Sequence, residues 1–470
     1  MITLRNYDYK QVAVFGLSKS GVTTVASLLA SGIEVFAWDD NPETRQNFAK
    51  LYKNPKLSLS IPEEWQWQTI QLLVLSPGIP FTNPEPHEVV KTAGKFGVKI
   101  IGDIELFCDS QPHIPKIAVT GTNGKSTTTS LIAHILKSAG FKVEVGGNLG
   151  PPVLSLQPVG NDGCYVLELS SYQLDLVENA HFNIALILNV TPDHLDRHGS
   201  IERYVEAKSH IFDRQNKRDV AIIGIDDDYS RSIYSALKQI SKAKIIPISV
   251  IQKLNYGVFV DKSGVLLDKT DPENLVEINL GDIATLTGRH NWQNAAFAYT
   301  ACKSYGVSAR EIEKGLKTFP GLKHRMQTVA TIHGVRFIND SKATNADATS
   351  HALKPFSNIY WIVGGKPKEG GIESLHGLLG GVAHAFLIGE SEDKFAAFLE
   401  GKVNYTKCGT LDKAFAAASG KAFSERRQNS VVLLSPACAS FDQWKSFEER
   451  GDAFCKMTDN LLQNIVFGKR

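Results

Sequence analysis

The chain has 470 residues, 43% hydrophobic and 21% charged, with a formal net charge of +2 at pH 7. That length holds two to four domains with sizeable cores. The near-balanced charge argues against nucleic acid or an anionic membrane as partner, and the longest apolar runs, such as "IALILNV", are too short to cross a bilayer.

The N-terminus, "MITLRNYDYKQVAVFG", carries no signal pattern. From about residue 10, "QVAVFGLSKSGVTTVASLLASGIEVFAWDDN" reads as strand, Gly turn, helix and a second strand ending in acids, and "IQLLVLSPGI" adds a further buried strand. Continuous apolar strands alternating with helices imply a parallel, doubly wound sheet. Gly16, Ser18 and Gly21 occupy the places of a G-x-G-x-x-G turn, with Ser18 replacing the middle glycine, and Asp39 and Asp40 follow about 20 residues on. A nucleotide site and a plain fold-forming turn fit this pattern equally well. The stretch "CDSQPHIPK", 108 to 116, reads as a linker. The six cysteines (Cys108, Cys164, Cys302, Cys408, Cys438 and Cys455) form no C-x-x-C pair and read as reduced thiols of a cytoplasmic protein.

A second block opens with "KIAVTGTNGKSTTTSLIAHIL". Its strand runs into a tight turn in which Gly121, Asn123 and Gly124 expose backbone N–H groups to phosphate. Lys125 would reach the terminal phosphates, and Ser126 or Thr127 a magnesium ion. The first glycine of the usual phosphate-loop pattern is replaced by Val119. In "YVLELSSYQLD", Glu168 ends an apolar strand, where it either completes a magnesium shell or stands beside a helix cap made by Ser170 and Ser171. "TPDHLDRHGSIERYVEAKSHIF" crowds Asp193, His194, Asp196 and His198 into one loop after a strand, a density that suggests a metal or catalytic site. Lys208, on the following amphipathic helix, reads from spacing alone as a solvated lysine. Asn291 and Asn294 share a helix face, either to read adenine or to cap.

The third block begins near "FPGLKHRM". It offers Arg325, then Asp340, Ser341, Lys342, Thr344 and Asn345 in "NDSKATN", with two further strand-end loops, "GGKPKEGG" and "SPACASFDQW". A fixed arginine beside such loops suits nucleotide and carboxylate binding.

The ordered set "TGTNGKST", "LELSSYQL", "TPDHLDRH", "AKSHIF", "GRHNWQN", "GLKHR" and "NDSKATN" resembles the Mur ligase family over essentially the whole chain. "NDSKATN" and "LLSPACASFDQWKSFEERG" resemble its D-glutamate-adding members, and the "DNPR"-type motif of the diaminopimelate- and lysine-adding members is absent. The resemblance implies an α/β chain of three domains. These are a Rossmann-like nucleotide-sugar domain (1–111), a phosphate-loop ATPase domain (112–321) and a Rossmann-like amino-acid domain (322–470). It implies a cytoplasmic, monomeric ATP-dependent ligase of peptidoglycan precursor synthesis, using two magnesium ions. That ligase would join D-glutamate to UDP-N-acetylmuramoyl-L-alanine through an acyl phosphate.

Carried over by position, Gly121, Thr122, Asn123, Gly124, Lys125, Ser126 and Thr127 hold the ATP phosphates. Ser126 and Glu168 serve one magnesium ion, and His194 and Lys208, the latter as a carbamate, serve the second. Asn291 and Asn294 lie near adenine, and Arg325 and Asp340 close over phosphates and ribose. Leu17, Ser18, Asp39, Asp40, Ser76, Gly78 and Asn148 line the uridine nucleotide site. Thr344, Lys368, Ser440 and Phe447 bind D-glutamate, while Lys366 stands where some relatives carry Asp. Another ligase of this fold, such as a folylpolyglutamate synthetase or a different peptidoglycan ligase, is the nearest rival. An NAD-dependent oxidoreductase, resting on the Gly16 turn, would leave "TGTNGKST" idle.

Overall fold

The computed structural model describes residues 1–4, 8–367 and 371–466. Two compact units divide the chain, residues 1–320 and 321–470. Unit one carries two sheets and unit two a third, all flanked by helices.

The first sheet is five-stranded and wholly parallel, in the order Leu57–Leu59, Glu34–Trp38, Gln11–Phe15, Leu72–Leu75, Lys99–Ile101. Strand order reverses between Gln11–Phe15 and Leu72–Leu75, which opens a crevice at their carboxyl ends. Gly16 and Ser76 meet there: the Ser76 amide donates to the Phe15 carbonyl at 2.9 Å and its hydroxyl to the Gly16 carbonyl at 2.8 Å. Gly16 has φ +92°, and a Cβ on it would lie 2.6 Å from Ser76 Cβ, so only glycine fits this crossing.

The second sheet has nine strands, seven of them parallel, with Lys116–Thr120 between Gly163–Glu168 and Ile184–Ile187. Neighbouring strands therefore deliver the loops after residues 120, 168 and 187 to one edge. Its far side ends in two strands added by antiparallel pairing, Val265–Asp268 and Val276–Asn279, beyond the parallel-paired Val258–Val260, all three outside the alternating pattern read from the sequence. An aspartate turn makes the first of these hairpins: Asp261 accepts from the amides of Ser263 and Val265.

The two sheets of unit one share a core. Val12, Val14, Val35 and Leu72 pack in one cluster with Ala118, Tyr165 and Leu167, and helix Asp103–Ser110 supplies Leu106 and Phe107 to it. Glu105 on that helix is fully buried, and its carboxylate accepts the amides of Glu178, Asn179 and Ala180. Here the linker reading of 108–116 needs correction. The helix continues to Ser110, Cys108 and Ile114 belong to the core, and the buried Lys116 ammonium is held by the carbonyls of Gln111 and Ile114.

Unit two holds a six-stranded sheet in the order Gln327–Ile332, Val335–Asn339, Val431–Leu434, Ile359–Gly364, Val382–Ile388, Tyr405–Gly409, parallel except for the first pair. Adjacency of the second, third and fourth strands brings together the loops starting at residues 340, 365 and 435.

Candidate active site

In unit one the phosphate loop follows Lys116–Thr120 and opens helix Lys125–Ser138. Gly121 and Gly124 take φ +150° and +86°, and a Cβ on Gly124 would sit 2.3 Å from Asn294 Oδ1. Among the described residues no side chain caps the helix, an arrangement that suits an anion at its N-terminus. The Asn123 amide differs from expectation: it donates to Asn189 Oδ1 at 2.8 Å, and the Thr122 amide donates to the Asn189 carbonyl at 2.9 Å. Asn189, unnoticed in the sequence, thus fixes the loop from the neighbouring strand's end. Lys125 Nζ lies back over its own loop, donating to the carbonyls of Gly121 and Thr122 at 2.8 and 2.9 Å. Ser126 and Thr127 are half-buried.

Asn294 is buried and accepts from Thr128 Oγ1 at 3.3 Å, which ties helix Arg289–Tyr305 to the loop's helix. Asn291 donates to the Thr287 carbonyl at 3.0 Å and accepts from Asn294 at 3.4 Å. Neither is the helix cap, a position that Gly288 takes.

Glu168 is 2% exposed at its strand end. Oε1 accepts from Asn148 Nδ2 at 2.7 Å, while Oε2 is buried without a partner. A buried carboxylate oxygen left open in this way fits a bound cation. The capping alternative also holds: Ser170 forms a capping box with Gln173. Asn148, expected at the uridine nucleotide, here orients Glu168.

Lys208 is the largest departure from its sequence pattern. It is 1% exposed rather than solvated, with Nζ donating to the Gly121 carbonyl at 3.0 Å and lying 4.5 Å over the Tyr204 ring. Burial, reinforced by Lys125, pushes its pKa down to about 7. His194 is exposed, adopts φ +52° and pairs with Asp193 at 3.5 Å. His198 separates from it in role. It is buried on Ser171 Oγ at 3.0 Å, and burial, followed by Arg197 and Lys208, holds its pKa down at about 4, so it stays neutral. Arg197, also missed, reaches across to the carbonyls of Asn83 and Ile79 at 2.7 and 2.8 Å. Among the described residues no three His, Cys, Asp or Glu side chains cluster closely enough to hold a metal by themselves. Oxygen donors from hydroxyl, phosphate or carbamate groups would have to complete a shell.

One cleft of about 540 Å³ joins these groups to the first sheet's crevice, with Ser18 and Gly78 on one wall and Lys125, Asn148, His194 and Lys208 on others. Several residues expected at the uridine nucleotide are occupied internally. Asp39 accepts the amides of Leu17 and Asn41 at 2.6 and 2.9 Å, the Ser76 hydroxyl is held by Gly16, and Asp40 pairs with His87 at 2.9 Å.

In unit two, Asp340 is 4% exposed and accepts from the Met326 amide at 3.1 Å and from Ser435 Oγ at 2.9 Å. It props the turn that carries the exposed Arg325, so both of its oxygens are already engaged. Burial raises its carboxyl to about 6. Ser440 is buried, Thr344 half-buried, and Phe447 opens helix Phe447–Val466, its carbonyl accepting from Ser341 Oγ at 2.8 Å. Lys368 lies outside the described residues. Lys366 is exposed and bridges to Ala439 through backbone bonds of 2.9 and 3.1 Å. Arg450 was not singled out from the sequence. It is 1% exposed, and its guanidinium donates to Ser341 Oγ and to the carbonyls of Ser341, Cys438 and Ala439.

Comparison with known proteins matches three family models in order. These are "Mur ligase MurD-like, N-terminal domain" at residues 10–102, "Mur ligase middle domain" at 119–302, and "Mur ligase, glutamate ligase domain" at 324–438. The chain is 47% identical to a UDP-N-acetylmuramoylalanine--D-glutamate ligase of Paramagnetospirillum magneticum, covering 98% of this chain and 99% of that one. It is 45% identical to a protein of the same name from Rhodospirillum rubrum, covering 100% and 98%. Among solved structures, MurF of Acinetobacter baumannii shares the fold at a TM-score of 0.57 and 20% identity, over 96% of this chain and 94% of that one. UDP-N-acetylmuramate-alanine ligase MurC of Thermotoga maritima does so at 0.55 and 18%, over 96% and 99%. With near-half identity along almost its whole length and all three domain models in sequence, the chain belongs to the Mur ligase family.

Proposed function

We propose that the chain is an ATP-dependent carbon–nitrogen ligase joining D-glutamate to the L-alanine carboxylate of UDP-N-acetylmuramoyl-L-alanine, with domain limits at 1–111, 112–321 and 322–470. The observation that carries this reading is the single cleft. It places the first sheet's crevice, suited to a nucleotide sugar, in one space with the phosphate loop and Lys208. The names of the relatives at 45–47% identity support the choice of substrates.

On this reading a carboxylate oxygen of the alanine attacks the γ-phosphorus of ATP, the bond to ADP breaks, and an acyl phosphate forms. The amine of D-glutamate then adds to the acyl carbon, loses a proton, and the tetrahedral intermediate expels phosphate. Both partners in the first step are anions, so positioning and cationic groups supply the catalysis. The amides opening helix Lys125–Ser138 grip the phosphates, and Lys125 leaves its loop carbonyls to meet them. Arg325, exposed on its turn, adds a second cation. Thr344, Lys368, Ser440 and Phe447 hold the amino acid, with Arg450 fixing the loops around residues 341 and 439. The open oxygen of Glu168 fits a magnesium ion together with Ser126, and His194 with carbamylated Lys208 would hold a second. Such ions, when bound, screen phosphate charge and polarise the phosphoryl group. Lys208 suits carbamylation because an amine with its pKa near 7 is about half unprotonated at neutral pH, and only that form adds to carbon dioxide, releasing a proton.

Phosphate release from ATP with UDP-N-acetylmuramoyl-L-alanine tests the proposal, with D-glutamate, L-glutamate, L-alanine and diaminopimelate offered in turn. Turnover with D-glutamate alone supports it. Turnover with another amino acid, or none with any, overturns it.

A further inference from the structure

Helix Asp103–Ser110 carries two buried acids with opposite fates. Glu105 is satisfied by three backbone amides. Asp103 is 3% exposed, yet its Oδ1 is buried with no hydrogen-bond partner, and the residue lines the 540 Å³ cleft. It has little room to retreat. The Gly102 amide donates to the Leu176 carbonyl at 3.1 Å, and a Cβ on Gly102 would stand 3.0 Å from Leu176 Cβ. A buried polar atom left open on a cleft wall is either a defect that costs stability or a group waiting for a ligand.

The surrounding charges select the ligand. The cleft wall holds the cations Lys19 and Lys125, and Asp103 is the one aspartate or glutamate among its lining residues. Lysines suit the two anionic ends of a nucleotide-sugar substrate, its diphosphate and its carboxylate. An acceptor-only group would repel both, and its complement is the uncharged stretch between them, which carries sugar hydroxyls and amide N–H groups. Resting on the functional reading above, we propose that Asp103 is a substrate-binding residue that accepts a hydrogen bond from a hydroxyl or amide N–H of the neutral sugar–peptide segment of the nucleotide-sugar substrate.

Burial raises the Asp103 carboxyl to about 6 from its ordinary 3.8. The folded chain therefore holds this proton more tightly than the unfolded chain, and stability falls as pH rises from near 4 to near 6, remaining lower above. Elements packed on this helix bring Lys19 and Tyr172 to the cleft wall and nothing titratable from residues 153–155, while Glu105 and Asp109 share its own helix.

The test uses Asp103→Asn and Asp103→Leu in the full chain, with calorimetric titration of UDP and of UDP-N-acetylmuramoyl-L-alanine. Affinity for the whole substrate should fall about ten-fold in Asp103→Leu, the size of a lost hydrogen bond to a charged group. Affinity for UDP, and KM for ATP and D-glutamate, should stay unchanged. Both variants should melt higher than wild type at pH 8, with the gain gone at pH 3.5. Unchanged affinity for the whole substrate, an equal loss with UDP alone, a lower melting temperature at pH 8 or an altered magnesium requirement would each overturn the assignment. Failure of the wild type to bind the whole substrate would sink the functional reading instead, so the two failures are distinguishable.

Discussion

Glu168 and Lys208 show how differently single residues announce themselves. Glu168 read two ways from the sequence, as a metal ligand or as an acid beside a helix cap; the Ser170 cap is present, and the open Oε2 leaves a place for a cation. Glu168→Gln keeps an acceptor for Asn148 and removes the charge. It should cut phosphate release about 100-fold or more, with partial recovery at high magnesium. Full activity at low magnesium, measured by phosphate release, would remove Glu168 from the metal site. Lys208 was not legible as a buried group, since nothing local tells a helix which face will lie under a phosphate loop. Its bicarbonate-dependent labelling with ¹³C, followed by NMR, should grow as pH rises through about 7, because the neutral amine becomes the main form there. Lys208→Ala should be nearly inactive, with partial recovery in acetate or formate, which return the missing oxygens. A bare amine in an active, bicarbonate-supplied preparation would refute the carbamate.

At the scale of elements, two fastenings matter that only contact between distant segments creates. Helix Arg289–Tyr305 presses Asn294 against Gly124 of the phosphate loop, leaving no room for a side chain. Gly124→Ala, strained both by φ +86° and by that contact, should raise KM for ATP about ten-fold and destabilise the chain by about 1–3 kcal/mol. Adding Asn294→Ala should recover part of the stability, because it removes the collision but not the dihedral strain. Simple additivity in thermal melts would show that the contact carries no cost. In unit two, helix Phe447–Val466 delivers Arg450 to four oxygen acceptors on two loops. Arg450→Met should cost about 3 kcal/mol or more by orphaning those carbonyls. It should raise KM for D-glutamate well beyond that for ATP. An equal rise in both constants would leave Arg450 as mere scaffolding.

For the whole molecule, each unit has hydrophobic clusters of its own among the described residues. The core of the two coupled sheets lies within residues 1–320, and the clusters around Trp361 and Phe415 lie within 321–470. A chain of residues 1–320 should therefore fold cooperatively and bind UDP-N-acetylmuramoyl-L-alanine within a few-fold of the full chain, without incorporating D-glutamate. Calorimetry and a radiolabel assay check both halves of that expectation. An unfolded fragment would mean that the second unit supplies stability its core packing does not reveal. Among the described residues no helix is long and apolar enough to cross a membrane, as the short apolar runs implied.

The three sheets and the phosphate loop could be read directly because both rest on local chemistry. Apolar runs of strand length alternate with helices, and glycines stand where the backbone must turn at positive φ. Asp39 and Asp340 were visible as polar residues at strand ends and Asn148 through the family resemblance, but only the folded chain shows that they are engaged by Leu17, Met326 and Glu168. Asn189, Arg197, Arg450 and Asp103 were invisible for the converse reason. Asn123, Asn83 and Ser341, partners of the first three, lie 66, 114 and 109 residues away, while the buried Oδ1 of Asp103 has none; whether a polar group is satisfied or left open depends on desolvation and neighbours that packing alone assigns. Sequence determined the alternating strands and helices and the Gly-rich turn that opens helix Lys125–Ser138. Tertiary structure decided which charges would be buried, paired or left waiting, because those energies arise from groups brought together across the chain.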